Sequence, residues 1–295
     1  GDVYKRQIFL IFSFLRFFLE FQIWNIFSKR NILVCFGGYV SLVGLAHFSG
    51  PIYIQEQNSI PGSTNRLLAR YKKIDKIFCG FPKTQDFFEE KKAIFSGNLI
   101  NLDAQKVEKK KPCSGELDIK IMGGSLGARL INKTAPKVFS QLSQDFPDFK
   151  FILSHQCGKG NLEETKSYYD SCKKNFDLKL FEFVESMESF YSNADLIISR
   201  AGALSVSEIC ETQNIAIFIP LKNSIDNHQH ENAKFLAEKN SAFICEEDLL
   251  EENLKKILFE IVKNPEILEK MKKNISRISL TDKKNMIIKK ILSNE

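Results

Sequence analysis

The feature that most constrains the fold of this chain is an alternation of short β-rich runs with helix-length segments after residue 30. The candidate strands are rich in β-branched and aromatic residues and span 32–36, 51–55, 76–79, 118–122, 149–153, 178–181, 196–199, 215–220 and 242–245. Helix-length segments lie between them at 64–73, 127–142, 162–173, 204–212 and 229–238. Such alternation is typical of parallel sheets wrapped by helices. We therefore predict the α/β fold class.

The length of 295 residues, 43% of them hydrophobic, allows two domains with separate cores. Residues 101–115 are polar, carry three consecutive lysines followed by Pro112, and end in Ser-Gly, which is typical of a linker. We predict one domain over 1–112 and a second over 113–295. The tail after Glu247 has a helical period that Pro265 interrupts.

Composition excludes several classes of protein and site. The seven cysteines are odd in number and form no CxxC pair, and the four histidines form no HExxH pattern. A disulfide framework and a zinc site are therefore not expected. The net charge of +6 suits an anionic partner. Basic residues without interleaved aromatic residues argue against a nucleic-acid groove.

Residues 8–27 form an apolar segment in which 15 of 20 residues are hydrophobic. Arg16 and Glu20 have the i,i+4 spacing of a helical ion pair, and Ser13 shares their face. Central charges penalise a membrane span, so the pattern favours a helix that lies in a bilayer interface, with a core helix or a span as alternatives. No small-residue cleavage site indicates a signal peptide.

Two strand-end loops in the first half have unusual composition. Paired glycines follow the first strand within 36–41, where they let a ligand approach the backbone; a tight turn is the simpler alternative. Amides and a carboxylate cluster at 55–58, which suits a ligand rich in hydroxyl groups. The alternative for that loop is a polar turn in which Ser63 or Thr64 caps the next helix.

Three loops in the second half point to a phosphate-bearing ligand. Residues 122–129 place Gly-Gly-Ser and a third glycine between a strand and a helix, a phosphate-cradle arrangement that is neither GxGxxG nor GxxxxGK[ST]. Small residues at 199–207 could seat a diphosphate, and Glu208 could accept both ribose hydroxyls. A capping box from Ser205 to Glu208 is the structural alternative. Residues 226–232 add amides and imidazoles, and no DxD motif indicates a metal-held nucleotide sugar.

Taken in order, these loops resemble the MurG family of bacterial N-acetylglucosaminyltransferases. The matching motifs are FGGYVS (36–41), EQNSIPGSTNRLLAR (56–70), GGSLGAR (123–129), HQCGKG (155–160), SRAGALSVSEI (199–209) and DNHQHENA (226–233). The resemblance implies a GT-B architecture, in which two Rossmann-like domains face a cleft. It also implies transfer of GlcNAc from UDP-GlcNAc to lipid I to form lipid II for peptidoglycan, by one inverting displacement and without a metal or other cofactor.

The resemblance further implies a role for individual residues. The donor UDP-GlcNAc would be bound by Asn58, Ser125, Val184, Ala203, Leu204, Ser205, Val206, Ser207, Glu208, Gln229 and Asn232. Ser125 would lie near the diphosphate, the Val184 backbone would hold uracil, Glu208 would take the ribose hydroxyls, and Gln229 and Asn232 would reach GlcNAc. The acceptor side would include Gly37, Gly38, Tyr39 and Ser41. Segment 8–27 would attach the protein peripherally to the inner face of the cytoplasmic membrane.

The chain also departs from the family pattern. No Gly-rich, His-bearing loop occurs before residue 36, so we expect that the first strands of the amino-terminal domain are absent and that the catalytic base is not identifiable. Gln55 stands where the family has His, and Asn101 stands where it has Arg. We therefore expect little transferase activity from these 295 residues alone.

Two other functions stay open at this point. One is another UDP-sugar enzyme on the GT-B fold, such as a 2-epimerase, which would act on free UDP-GlcNAc without a lipid acceptor. The other is a non-catalytic, membrane-associated UDP-sugar-binding protein, which would bind UDP-GlcNAc without turnover.

Overall fold

We analysed a computed structural model, which describes residues 16, 19, 20, 23, 32–38, 40–42, 48, 50–109, 115–124, 127–172, 175–278, 287 and 289–291. The chain divides into two compact units. Unit 1 comprises Gly1–Asn98 with Lys283–Glu295, and unit 2 comprises Leu99–Asp282. The division thus falls after Asn98 instead of at the predicted boundary of 112, and the end of the chain returns to unit 1.

Unit 1 is built on a four-stranded parallel sheet in the order β1-β2-β3-β4. Its elements are β1 (Leu33–Cys35), β2 (Ile52–Glu56), α1 (Ser63–Ala69), β3 (Ile74–Cys79), a 3₁₀ turn (Pro82–Phe87) and β4 (Ala93–Phe95). Alternate residues of each strand point to opposite faces. Ile52 and Ile54 pack with Leu68 on one face. Tyr53 and Ile287 pack together on the other, which ties the end of the chain to this sheet.

Unit 2 contains a six-stranded parallel sheet in the order β10-β9-β8-β5-β6-β7. Its strands are β5 (Glu116–Met122), β6 (Lys150–Gln156), β7 (Asp177–Phe181), β8 (Leu196–Ser199), β9 (Ala216–Phe218) and β10 (Ala242–Ile244). Its α-helices are α2 (Arg129–Asp145), α3 (Leu162–Asp170), α4 (Met187–Tyr191), α5 (Ala203–Glu211), α6 (His228–Ala237), α7 (Leu250–Lys263) and α8 (Glu266–Ile275), with 3₁₀ turns at Ala104–Lys106 and Ile225–Asn227. The chain adds β6 and β7 on one side of β5 and then β8, β9 and β10 on the other, so the strand order reverses between the neighbours β5 and β8.

The predicted α/β class is confirmed, as are all nine strands and all five helices, although most ends differ by a few residues. The predicted break at Pro265 is also confirmed, since α7 ends at Lys263 and α8 begins at Glu266. Strand β4 was missed, because its three residues are too short a run to show a period.

The predicted linker is attached to unit 2 as far as it is described. The amide of Asp103 donates to Glu188 over 3.2 Å, and the amide of Glu108 donates to the Ser192 hydroxyl over 3.0 Å. Nζ of Lys109 donates to the carbonyl of Thr212 at the end of α5. Burial lowers the pKa of Lys109 to about 8. These contacts explain why the units divide before this polar run.

Segment 8–27, for which we predict an interfacial helix, lies outside the described residues except at positions 16, 19, 20 and 23, which are helical. Among those four, the predicted pair is confirmed, because Nε of Arg16 lies 2.8 Å from Oε1 of Glu20. No helix within the described ranges is long and apolar enough to span a membrane.

Candidate functional site

The candidate site of unit 2 lies at the carboxyl edge of its sheet, where the loops after β5 to β9 meet. In open α/β sheets, ligands bind in the crevice at this edge, beside the point where the strand order reverses. The predicted phosphate-bearing loops follow β5 and β8, which are neighbours in the sheet. The fold therefore brings these two loops together.

The loop after β5 depends on glycine. Gly124 and Gly127 have φ angles of 81° and 74°, a region that other residues rarely adopt. A Cβ atom on Gly127 would overlap the carbonyl oxygen of Cys157, so this loop presses against the backbone of the loop after β6. Ser125, the predicted diphosphate neighbour, lies outside the described residues.

Gln156 joins three of the loops. Its side-chain amide, at the end of β6, donates to the carbonyls of Gly124 and Glu182, each over 3.0 Å. The side chain is only 5% exposed. One buried amide thus fixes the loop after β5 and the loop after β7 relative to each other. Sequence reasoning missed this role, because a polar residue at the end of a strand carries no specific signal.

A buried chain of polar groups supports the loop after β6 from below. Nδ1 of His155 lies 3.0 Å from the Tyr169 hydroxyl, and Nε2 lies 3.0 Å from Oδ1 of Asn132. The Asn132 amide donates to the carbonyl of Cys157 over 2.9 Å. Oδ1 of Asn132 can only accept, so Nε2 carries the proton and Nδ1 accepts from the Tyr169 hydroxyl. Burial lowers the His155 pKa to about 3, so this imidazole is neutral and structural.

Helix α5 does not begin with the capping box that the sequence offered as an alternative, so that prediction is wrong. Gly202 is the N-cap and Ser205 lies within the first turn. The amide of Val206 donates to the Gly202 carbonyl over 2.9 Å. Within the described residues the amides of Ala203, Leu204 and Ser205 make no hydrogen bond, as expected for a helix start that can receive an anion.

The predicted residues of α5 differ in exposure. Leu204 is 40% exposed and Ser205 is half-buried, whereas Val206 and Ser207 are buried. The Ser207 hydroxyl donates to the carbonyl of Ala203 over 2.9 Å. A ligand at this helix start would therefore meet backbone amides and the Ser205 side chain before it met Val206 or Ser207.

Glu208 is half-buried and has a tyrosine partner. The hydroxyl of Tyr191, at the end of α4, donates to Oε2 of Glu208 over 3.0 Å. Burial raises the pKa of Glu208, the Tyr191 hydrogen bond opposes that rise, and the nearby charge of Glu188 adds to it. Tyr191 was missed by sequence reasoning, since a lone tyrosine in a short helix carries no signal.

Arg200 and Glu247 link the loops after β8, β9 and β10. Arg200 forms a 2.7 Å ion pair with Glu247 and donates to the carbonyl of Ile219 over 3.0 Å. The other carboxylate oxygen of Glu247 accepts from the amide of Lys222 over 2.9 Å. Both side chains of the ion pair are 15% exposed, so the pair is largely shielded from solvent.

The predicted sugar contacts lie on α6. Gln229 accepts from the amide of Leu221 over 3.0 Å, so its own amide group points elsewhere. Asn232 is buried and donates to the carbonyl of Ala201 over 3.2 Å, which links α6 to the start of α5. Val184, the predicted uracil contact, is half-buried after the end of β7. These residues all lie in loops or helix starts at the carboxyl edge.

Unit 1 contains the remaining predicted residues. Glu56 is 3% exposed at the end of β2 and accepts hydrogen bonds from the backbone amides of Asn58 and Gly62 at 2.9 and 3.1 Å. Its Oε2 also accepts from the Asn65 side chain at 2.8 Å. The cap expected from Ser63 or Thr64 is wrong, because Gly62 is the N-cap and no side chain caps α1. Buried Glu56 organises this loop.

The predicted acceptor-side turn follows β1. Gly37 and Gly38 have φ angles of 94° and 71°. The Ser41 hydroxyl donates to the Gly37 carbonyl over 2.7 Å and accepts from its amide at 3.1 Å, which closes the turn. Tyr39 lies outside the described residues. Gln55, at the family's histidine position, is 1% exposed and donates to the carbonyl of Gly97 over 3.4 Å.

Among the described residues, no group of three or more His, Cys, Asp or Glu side chains could hold a metal ion. Groups at the carboxyl edge of unit 2 include the backbone amides of the α5 start, hydroxyls, side-chain amides and the Glu208 carboxylate. This chemistry suits a ligand that combines an anionic group with vicinal hydroxyls.

Comparison with known proteins gives a consistent result. Residues 119–290 match the model of the glycosyltransferase family 28 C-terminal domain. A UDP-N-acetylglucosamine--N-acetylmuramyl-(pentapeptide) pyrophosphoryl-undecaprenol N-acetylglucosamine transferase from Acinetobacter baumannii is 34% identical over 254 residues, which cover 82% of this chain and 67% of that protein.

Solved structures agree. The crystal structure of Acinetobacter baumannii MurG has a TM-score of 0.72 and 31% identity, and the match covers 94% of this chain and 76% of that chain. A structure described as a UDP-N-acetylglucosamine 2-epimerase from Listeria monocytogenes has a TM-score of 0.63 at 14% identity, with 90% and 74% of the two chains covered. The second likeness extends to the fold alone.

Proposed function

Because this chain belongs to the MurG family of undecaprenol-linked N-acetylglucosamine transferases, we propose that the carboxyl-edge loops of unit 2 bind its donor, UDP-GlcNAc. The protein is a glycosyltransferase of the GT-B fold, and its reaction is transfer of GlcNAc from UDP-GlcNAc to undecaprenyl-diphospho-N-acetylmuramyl-pentapeptide, lipid I, which forms lipid II.

The observation that carries the donor proposal is the position of Glu208 on the helix whose first turn offers unpaired amides. The diphosphate would lie on the amides of Ala203, Leu204 and Ser205 and on the glycine loop after β5, with Ser125 beside it. The ribose hydroxyls would then reach Glu208, because a carboxylate accepts two hydroxyls side by side. No metal would be needed, since helix-start amides stabilise the leaving diphosphate.

The remaining donor contacts follow from the same placement. Val184 would bind uracil through its backbone at the end of β7. Gln229 would direct its free amide group toward the GlcNAc hydroxyls, and Asn232 would add to them. Val206 and Ser207 are buried, so they would support the helix start from below, on the side where the nucleoside would lie. Asn58, in unit 1, would contact the donor from the other domain.

Chemically, the reaction would be one inverting displacement. The 4-hydroxyl of N-acetylmuramic acid would attack the anomeric carbon of GlcNAc, the bond from that carbon to the UDP oxygen would break, and the hydroxyl proton would pass to a base. UDP would leave with the bonding electron pair, and the site amides would hold its charge.

The acceptor proposal concerns unit 1 and the membrane. Gly37, Gly38, Tyr39 and Ser41 would form the acceptor side, since their turn exposes backbone for close approach. An undecaprenol-linked acceptor resides in a bilayer, so we propose that the protein works peripherally at the inner face of the cytoplasmic membrane. The apolar segment 8–27, followed by Lys29 and Arg30, suits contact with an anionic surface.

The donor proposal is tested by calorimetric titration of the chain with UDP-GlcNAc and UDP, and with ADP as control. We expect both uridine nucleotides to bind and ADP to bind at least tenfold more weakly. A second arm introduces Asn101→Arg, which restores the family's arginine and should raise UDP-GlcNAc affinity. Equal binding of ADP and UDP would contradict the proposal.

A further inference from the structure

The hydroxyl group of Tyr191 contacts two elements of the candidate site, the end of β5 and helix α5. Its side chain has no exposed surface, and its hydroxyl reaches Oε2 of Glu208 at 3.0 Å. The same hydroxyl is 3.6 Å from the sulfur of Met122, the last residue of β5. A buried phenol is thus directed at the carboxyl edge, where its proton has one strong acceptor.

The position of Tyr191 is fixed by unit 2 itself. The side-chain amide of Asn214 donates to the Tyr191 carbonyl over 3.2 Å. Oδ1 of Asn214 in turn accepts from Nζ of Lys109 at 2.8 Å. These bonds anchor the end of α4 to the turn after α5. The position of the Tyr191 side chain therefore does not depend on a bound ligand.

Glu208, by contrast, would be adjustable without the phenol. A glutamate side chain has three rotatable bonds, so ordering it costs conformational entropy. The Tyr191 hydrogen bond selects one orientation. Within the described residues Oε1 of Glu208 makes no hydrogen bond, and each carboxylate oxygen has two lone pairs. Oε1 and the second lone pair of Oε2 are therefore available to two hydroxyls.

We propose that Tyr191 is a positioning residue that holds the Glu208 carboxylate in the orientation that accepts both ribose hydroxyls of a uridine nucleotide. This inference rests on the proposed function, in which Glu208 is the ribose contact. Tyr191 acts through Glu208 and touches no part of the ligand.

The charge state of Glu208 supports this role. Burial raises the pKa of Glu208, and the charge of Glu188 raises it further, whereas the Tyr191 hydrogen bond lowers it. Tyr191 and Glu188 on α4 are the titratable groups that act on this carboxylate. The Tyr191 hydrogen bond thus favours the ionised form of Glu208, which accepts hydroxyl protons best.

The test is calorimetric titration of the full chain with UDP and with 2′-deoxy-UDP, for the wild type and Tyr191→Phe. The phenylalanine retains the buried ring and removes only the hydroxyl. We expect UDP affinity to fall by roughly three- to tenfold, and the preference for UDP over 2′-deoxy-UDP to fall by a similar factor. The loss of UDP affinity on acidification should also begin at a higher pH in the variant.

Tyr168→Phe is the matched control. In the wild type the Tyr168 hydroxyl donates to Oε1 of Glu164 over 2.6 Å on the surface of α3. The variant therefore loses the same kind of tyrosine–glutamate hydrogen bond, away from the candidate site. We expect unchanged affinity for both nucleotides. An equal loss of affinity for UDP and 2′-deoxy-UDP in Tyr191→Phe, with an unshifted pH profile, would show a merely structural tyrosine and overturn the inference. Absence of UDP binding by the wild type would instead overturn the proposed function, and this inference with it.

Discussion

Nε2 of His155 and Oδ1 of Asn132 lie 3.0 Å apart beneath the loop after β6. His155 has no exposed surface, and its other ring nitrogen is bonded to Tyr169. Neutral imidazole satisfies both partners, whereas a second proton on Nδ1 would place a charge in a buried site and would turn the Tyr169 hydroxyl proton away from the ring. Folding therefore disfavours the second, charging proton on His155.

Stability should consequently fall on acidification. The pKa of His155 is lowered from 6.5 to about 3 in the folded chain, so the unfolded chain binds one more proton between these values. The contribution is fully present above pH 6.5 and is lost as pH falls toward 3, by about 1.4 kcal/mol per pH unit. Denaturant unfolding at pH 6, 5 and 4 measures this slope. His155→Gln keeps a donor and an acceptor without titrating, so its slope should be smaller by one proton. Equal slopes would contradict the assignment.

Gly127→Ala should destabilise unit 2 more than Gly160→Ala. Both glycines have φ near 75°, so both alanines should cost about 1 to 2 kcal/mol of backbone strain. Only the Gly127 methyl would overlap the Cys157 carbonyl, which should add about 1 to 3 kcal/mol. The difference in free energy of unfolding isolates the close approach. Variants of equal stability would show that the two loops can separate at no cost.

Glu208→Gln should weaken UDP binding by about tenfold, because an amide accepts hydroxyl protons less strongly than a carboxylate. The Tyr191 hydroxyl would still have an oxygen acceptor, so the thermal midpoint should stay within a few degrees of the wild type. Titration with UDP and a thermal scan of the same preparation check both expectations. Wild-type affinity in this variant would remove Glu208 from the ribose site.

Gln229→Ala should lower the affinity for UDP-GlcNAc about fivefold and leave that for UDP unchanged, because the side chain would contact only the sugar. Lys234→Ala, on the same helix, removes a partly buried ion pair with Glu231 and serves as the control. Parallel titrations with the two nucleotides give the comparison. Equal losses for UDP and UDP-GlcNAc would place Gln229 away from the sugar.

The sequence predicts strands and loops well here because both have strong local signals. Alternating β-rich and helical runs place the glycine loop after β5 and the small residues before α5 at the same sheet edge. What it misses depends on tertiary contacts. Tyr191 and Gln156 act through partners that are distant in sequence, and buried Glu56, rather than Ser63 or Thr64, bonds the loop that leads into α1. The capping box failed because Gly202 starts α5 three residues before Ser205.

The domain boundary shows the same limit. A polar, lysine-rich run ending in proline is typical of a linker, and the sequence carries no sign that Lys109 is bonded to the turn after α5. The two compact units divide after Asn98, and Lys109 lies in unit 2 with its partners Thr212 and Asn214. The composition of residues 101–115 reveals a polar run, but it does not reveal that Lys109 is bonded to unit 2.

The central claim is that the carboxyl edge of unit 2 binds the uridine diphosphate part of the donor through the α5 start and Glu208. Calorimetric titration of UDP into the wild type and Glu208→Gln, in parallel with ADP, tests it most directly. We expect saturable UDP binding by the wild type, about tenfold weaker binding by the variant, and weak ADP binding by both. UDP binding that is equal in the two proteins, or no stronger than that of ADP, would contradict it.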